Sequence, residues 1–223
     1  MIKPDFGNLK HSQIEVASKV VVDDEFKEEG IKYIAGFETI FFGKECICAA
    51  AVLDYKTLEV KERKFLVAKA PMNYVPGFAA FREGPIICQL YYDLEYDPDV
   101  IIINGHGIAH PMNCGPATFV GVELAKPTIG IAKSLIECEE KDGFIIMNGE
   151  KVGKAVKTKE HANALYVSTG NIIPMDVAAK IILKMVIPPH KLPEPLHVAH
   201  RFAKKAAEER RNPQLKEEIV EEL

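Results

Sequence analysis

The order of apolar and polar positions breaks the chain into short strands and helices. Residues 31–37 form an apolar stretch of strand length, and residues 45–53, rich in Ile, Ala, Val and Cys, form a second. A third, residues 58–67, follows the turn-forming Asp54-Tyr55-Lys56. Three strands on short turns predict an antiparallel meander. Across residues 76–94, Phe78, Phe81, Ile86, Leu90 and Leu94 recur at roughly helical spacing. Residues 99–104 are a continuous apolar run of the kind buried in parallel sheets. A second helix is expected over 117–125 and a buried strand over 127–131. Strands are expected at 143–147, 151–158 and 164–168, with turns at Asn148-Gly149 and Gly170-Asn171. Helices over 175–186 and 195–211, separated by Pro188-Pro189, close the pattern. Hairpins followed by alternating helices and buried strands predict an α/β fold with a mixed sheet.

Composition narrows the class. The 223 residues suffice for one sizeable domain and are short for two, so residues 1–223 are expected to form one unit. Within it, the polar segment 1–30 is expected to be a peripheral helix with a loop. The Lys- and Glu-rich segment 212–223 is expected to be a charged tail. With 48% hydrophobic and 27% charged residues, the balance is that of a soluble globular protein. No uninterrupted apolar run reaches the roughly 18 residues of a membrane span. The opening MIKPDFGNLK carries charge where a secretion signal needs an apolar run. The expected location is cytoplasmic, with no membrane partner. Five cysteines, an odd number without a CxxC pair, read as small buried thiols in a reducing compartment.

Charge changes the picture only through its distribution. The formal net charge of −4 argues mildly against nucleic acid. Residues 151–211, however, hold twelve Lys and Arg against five Asp and Glu, leaving the rest strongly acidic. A basic flank beside an acidic centre suits a protein that holds phosphates and binds cations. Equally, those lysines could simply solvate two helices.

Four polar positions lie at the ends of buried elements, where α/β sheets place their sites. Glu38 sits just beyond the first strand, and Glu83 one or two helical turns past Pro76-Gly77. Asn104 ends the apolar strand, and His200 lies on the last helix. Singly, each has a plain structural explanation as a solvated charge, a turn residue or a satisfied histidine.

Their order together resembles the endonuclease V family over roughly residues 31–203. The blocks that carry the resemblance are Ile34-Ala35-Gly36, Tyr74-Val75-Pro76-Gly77, Phe81-Arg82-Glu83, Pro98-Asp99, Gly105-His106-Gly107 with His110-Pro111, residues 127–133 ending in Lys133, and Leu192-Pro193-Glu194-Pro195 with Ala199-His200. The resemblance implies a ribonuclease-H-like fold and a Mg²⁺- or Mn²⁺-dependent phosphodiesterase. Such an enzyme cleaves DNA or RNA on the 3′ side of deoxyinosine or inosine, and acts as a monomer. It further implies that Glu38, Glu83, Asn104 and His200 surround the metal and that Lys133 lies near the scissile phosphate. Tyr74, Val75 and Pro76 would form a wedge between strands, with Arg82 and His110 among the nucleic-acid contacts. Gly77 and Gly105 would line the pocket for an extruded base.

The chain departs from the family at this site. Glu38 and Asn104 stand where the family has Asp, Met112 where Arg is common, and Phe119 where His is common. The longer Glu38 can shift a metal by about 1 Å, enough to cost ~100-fold in rate. Asn104 removes a negative charge and adds an NH₂ donor. Two readings therefore stand side by side: an active inosine-directed nuclease, or an impaired relative that binds such nucleic acid without efficient cleavage. A zinc site at His106, His110 and Cys114 and a small-molecule binding domain are minor alternatives.

Overall fold

Three antiparallel strands begin the sheet: β1 (Tyr33–Phe42), β2 (Glu45–Asp54) and β3 (Val60–Lys69). The computed structural model describes residues 5–211, so the expected charged tail at 212–223 lies outside the described residues. β1 runs five residues past the expected end at Phe37, because its pairing with β2 continues to Phe42 against Glu45. Glu38 therefore lies inside a strand, not beyond it.

The next strand in space is β4 (Val100–Asn104), parallel to β1, followed by β5 (Thr128–Ala132), parallel to β4. Ile101, Ile102 and Ile103 are essentially fully buried, each contributing about 1.5–3 kcal/mol of apolar burial. The sheet then turns antiparallel through β9 (Leu165–Asn171), β8 (Glu150–Val156), β7 (Phe144–Met147) and β6 (Glu139–Lys141). Its full order is β3-β2-β1-β4-β5-β9-β8-β7-β6. The acidic Glu139–Lys141 strand carries no apolar signal and was not expected; it is an exposed edge held by pairing to β7.

Side-chain alternation divides the core into two layers. Ala35, Phe37, Ile101 and Ile103 face α2 (Ala79–Tyr92) and α3 (Pro116–Leu124). Ile34, Val100 and Ile102 face the opposite way, toward α4 (Met175–Lys184) and α5 (Glu194–Arg211). At Gly36 an added Cβ would lie 2.3 Å from the Pro195 backbone carbon, so only glycine lets the start of α5 approach β1 this closely. The N-terminal helix α1 (Phe6–Ala17) packs against α3 through Val16, beside Ala80 and Cys114. Among the described residues, no helix is long and apolar enough to cross a membrane.

Candidate active site

Register brings the first two candidates together. Phe37 pairs with Ile103 in the parallel β1–β4 ladder, so Glu38 and Asn104 stand one step further on. Both share the parity of Ile34 and Ile102 and project on the face covered by α5. The Asn104 Nδ2 donates to both carboxylate oxygens of Glu38, at 2.9 and 2.8 Å. His200, on α5, brings Nδ1 to 3.4 Å from Glu38 Oε1. That distance suits an ion pair but lacks hydrogen-bond alignment, and the buried Nδ1 has no hydrogen-bond partner. Glu38 itself is 6% exposed.

Glu83 comes from α2, across the sheet from α5. Part of the residue reaches the surface, yet its carboxyl is enclosed. Burial pushes it up to about 8, the Glu38 charge pushes the same way, and Arg82 opposes them. Glu83 thus feels the Glu38 charge electrostatically.

Among the described residues, no three His, Cys, Asp or Glu side chains stand grouped as a metal site. In kind, the donors around Glu38 nevertheless fit a hard divalent cation, with two carboxylates, an amide and an imidazole with a free buried nitrogen. The misfit is one of orientation, because the amide nitrogen of Asn104 faces Glu38 where a ligand would present oxygen. Turned over, its carbonyl would meet carboxylate oxygens at hydrogen-bond distance, which is repulsive unless a cation lies between them.

The remaining expected residues are distributed around this centre. Lys133 is exposed, just past the end of β5, whose Ile131 pairs with Asn104. Tyr74 projects from the surface, 67% exposed, in a loop with Val75, the exposed Pro76 and Gly77. Gly77 has φ +81°, a backbone region that favours glycine. The Arg82 guanidinium stacks 3.5 Å from the Phe41 ring centroid and 5.5 Å from that of Tyr74, so it braces the exposed tyrosine. Gly105 packs against Pro116 and donates its backbone N–H to Ile131.

His110 is only 3% exposed, and its Nδ1 accepts from the Met112 backbone. Burial, then the neighbouring His106, lowers it to about 4, against a hydrogen bond to the Gly77 backbone. It is a neutral inward-facing support for the Gly77 loop, not an exposed cation for phosphate. His106 is held at the Ser134 carbonyl, 2.9 Å away, and burial pushes the Cys114 thiol up to about 12. These separate engagements give no support to a zinc site. Phe119 packs edge-on to Phe81 and fills the space above Gly84, where an added Cβ would meet its ring at 2.2 Å.

One residue in this neighbourhood escaped the sequence reading. Gln13 on α1 is 1% exposed, and its Nε2 donates to the carbonyls of Gly77 at 2.8 Å and Cys114 at 3.2 Å. A glutamine in a polar amphipathic stretch gives no signal of burial; only the tertiary contact shows it.

The layered mixed sheet, parallel at its centre and antiparallel on both flanks, defines a ribonuclease-H-like α/β protein. A crystal structure of an endonuclease V from Bacillus subtilis superposes with a TM-score of 0.88 at 26% identity, covering 95% of this chain and 96% of that one. Ciona intestinalis endonuclease V, solved with a 23mer DNA containing an inosine followed by a ribo-adenosine, shares the fold at TM-score 0.84 and 24% identity, covering 94% and 99%. The endonuclease V family model matches residues 14–201. Endonuclease V of Dictyoglomus turgidum is 36% identical over 201 residues, 86% of this chain and 87% of that protein. The chain belongs to the endonuclease V family.

Proposed function

We propose that this protein is a divalent-metal-dependent endonuclease that cuts DNA or RNA on the 3′ side of deoxyinosine or inosine, acting as a monomer. The observation that carries this reading is the meeting of Glu38 and Asn104 on neighbouring strands with His200 of α5, and Glu83 within electrostatic reach from α2. The enclosed Glu83 carboxyl, pushed up by burial and by the Glu38 charge, calls for a cation. The family resemblance supports Mg²⁺ or Mn²⁺ in that role, which polarises a phosphate and lowers the pKa of bound water.

In this reading Glu38 and Glu83 hold the cation, while Asn104 and His200 complete the donor set. Lys133, solvated at the same edge, meets the non-bridging charge of the scissile phosphate. Tyr74 offers an exposed ring for stacking, stiffened by Val75 and Pro76 and braced by Arg82. Gly77 and Gly105 allow backbone to approach the displaced base. His110 takes part through Gly77, since its ring is buried.

A second reading, binding without efficient cleavage, is favoured by one specific observation. The Asn104 amide already satisfies both Glu38 oxygens and supplies no charge to hold a cation. Inosine-containing DNA and RNA strands incubated with Mg²⁺, then Mn²⁺, separate the two. Cleavage that Glu83→Ala abolishes supports the enzyme. Tight binding with no cutting, and cutting gained in the Glu38→Asp, Asn104→Asp double variant, supports the second.

A further inference from the structure

We propose that Gln13 is a positioning residue for nucleic-acid recognition, fixing the 74–77 loop against the turn at Cys114 so that α1 sets the shape of the recognition surface. This rests on the inosine-directed reading above for what the loops contact, but not for how they are held. The Gln13 side chain is buried, and its single amide nitrogen bridges two carbonyls from segments far apart in sequence, Gly77 and Cys114. Each segment leads directly to a proposed contact. Tyr74 lies three residues before Gly77. Beyond Cys114, Gly115 donates to the Gly107 carbonyl and Ala117 to that of His106, lacing the turn onto the loop that follows Asn104. Around the amide, Val16 packs with Ala80 and Cys114, and Phe6 lies against Phe78 with ring centroids 5.5 Å apart. Without the amide, two carbonyls lose their shared donor, and the Tyr74 loop keeps few other polar anchors: the Arg82 stack, the Phe78 N–H to Val75, and the His110 contact to Gly77.

The sequence contains no tryptophan, so Tyr74→Trp creates a single indole at the loop tip, which can be excited apart from the remaining tyrosines. In that background, Gln13→Met keeps the side-chain length and removes the donor. Should the Met variant fail to fold, Gln13→Asn retains an amide too short to span both carbonyls. The expected result is lower fluorescence anisotropy of the introduced indole and about twofold greater quenching by acrylamide, with a melting temperature only about 2–4 °C lower. Binding to an inosine-containing strand should weaken about tenfold, the loss expected when a preformed loop must be ordered on binding. At saturating substrate the cleavage rate should change less than twofold. Unchanged anisotropy in a folded variant overturns the proposal, and so does a mobile loop with unchanged affinity. A parent protein that ignores inosine, combined with a loop loosened by Gln13→Met, upholds the clamp and rejects the nuclease reading instead.

Discussion

At position 104, amide and carboxylate have the same shape and differ in charge and in the donors they carry. With Asn104, the amide protons satisfy Glu38, and the pair is stable without a cation. An Asp there would set two carboxylates at about the same 2.8 Å spacing, repulsive alone and strongly attractive to a divalent ion. Asn104→Asp should therefore melt at lower temperature than the parent in EDTA and be raised more by Mg²⁺. Its Mg²⁺ affinity by calorimetry should be about tenfold tighter or better. A variant whose melting responds to Mg²⁺ no more than the parent would show that Glu38 and Asn104 do not face a cation. The identity of these residues was legible in the sequence only through the ordered family blocks. Periodicity gave strand ends and polar positions, but not that Glu38 and Asn104 would touch. That contact follows from the parallel β1–β4 register, a pairing between segments more than sixty residues apart.

Elements hold the site through close approaches that tolerate little change. Gly36→Ala would drive a methyl into the Pro195 carbonyl and push α5, with His200, away from β1. We expect a loss of about 1–3 kcal/mol in urea unfolding, as for other overpacked cores, and a fall in cleavage larger than that loss explains. Full activity in a stable Gly36→Ala protein would show that α5 need not sit so near. A second fastening joins the 3₁₀ turn at Glu28–Gly30 to α4, where Glu28 meets Lys180 and Lys184 at 2.8 and 2.7 Å. The hydrogen bonds from those two lysines hold the Glu28 carboxyl down at about 2. Because the folded value lies below the unfolded one, near 4.5, this stabilisation is complete above that pH and is lost as pH falls toward 2. Urea midpoints of the parent and Glu28→Gln should accordingly differ at pH 6 and converge near pH 2; a constant difference would place the effect elsewhere. Most elements matched the hydrophobic pattern, because long apolar runs report burial directly. The failures were at β6, held only by edge pairing, and at the extra half of β1, where Glu38 and Thr39 interrupt the apolar signal. At α1 the helix was expected, but not that it buries Gln13.

For the molecule as a whole, composition and structure give different footprints on nucleic acid. Counting charge along the chain invites all twelve cations of residues 151–211 to face phosphate. The fold disperses them. Lys154 pairs with Asp176, Lys180 and Lys184 with Glu28, and Arg210 with Glu45, all reaching between elements. The cations that closely follow site residues along their elements are Lys133, past the end of β5, and Arg201 and Lys204, one and four residues beyond His200 on α5. About three neutralised phosphates on a single strand give a log–log salt slope near −2, whereas twelve would give about −8. Affinity for an inosine-containing single strand, measured between low and physiological salt, should therefore follow the shallow slope, and Lys133→Ala should reduce it by about 0.7. A slope near −8 would mean that the basic segment meets the strand as one surface, displacing the ion pairs that now tie α4 and α5 to the rest of the chain. The shallow slope would instead place recognition in the uncharged parts of the proposed site, the exposed Tyr74 ring and the glycine-lined loops, with charge left to align the phosphate at Lys133.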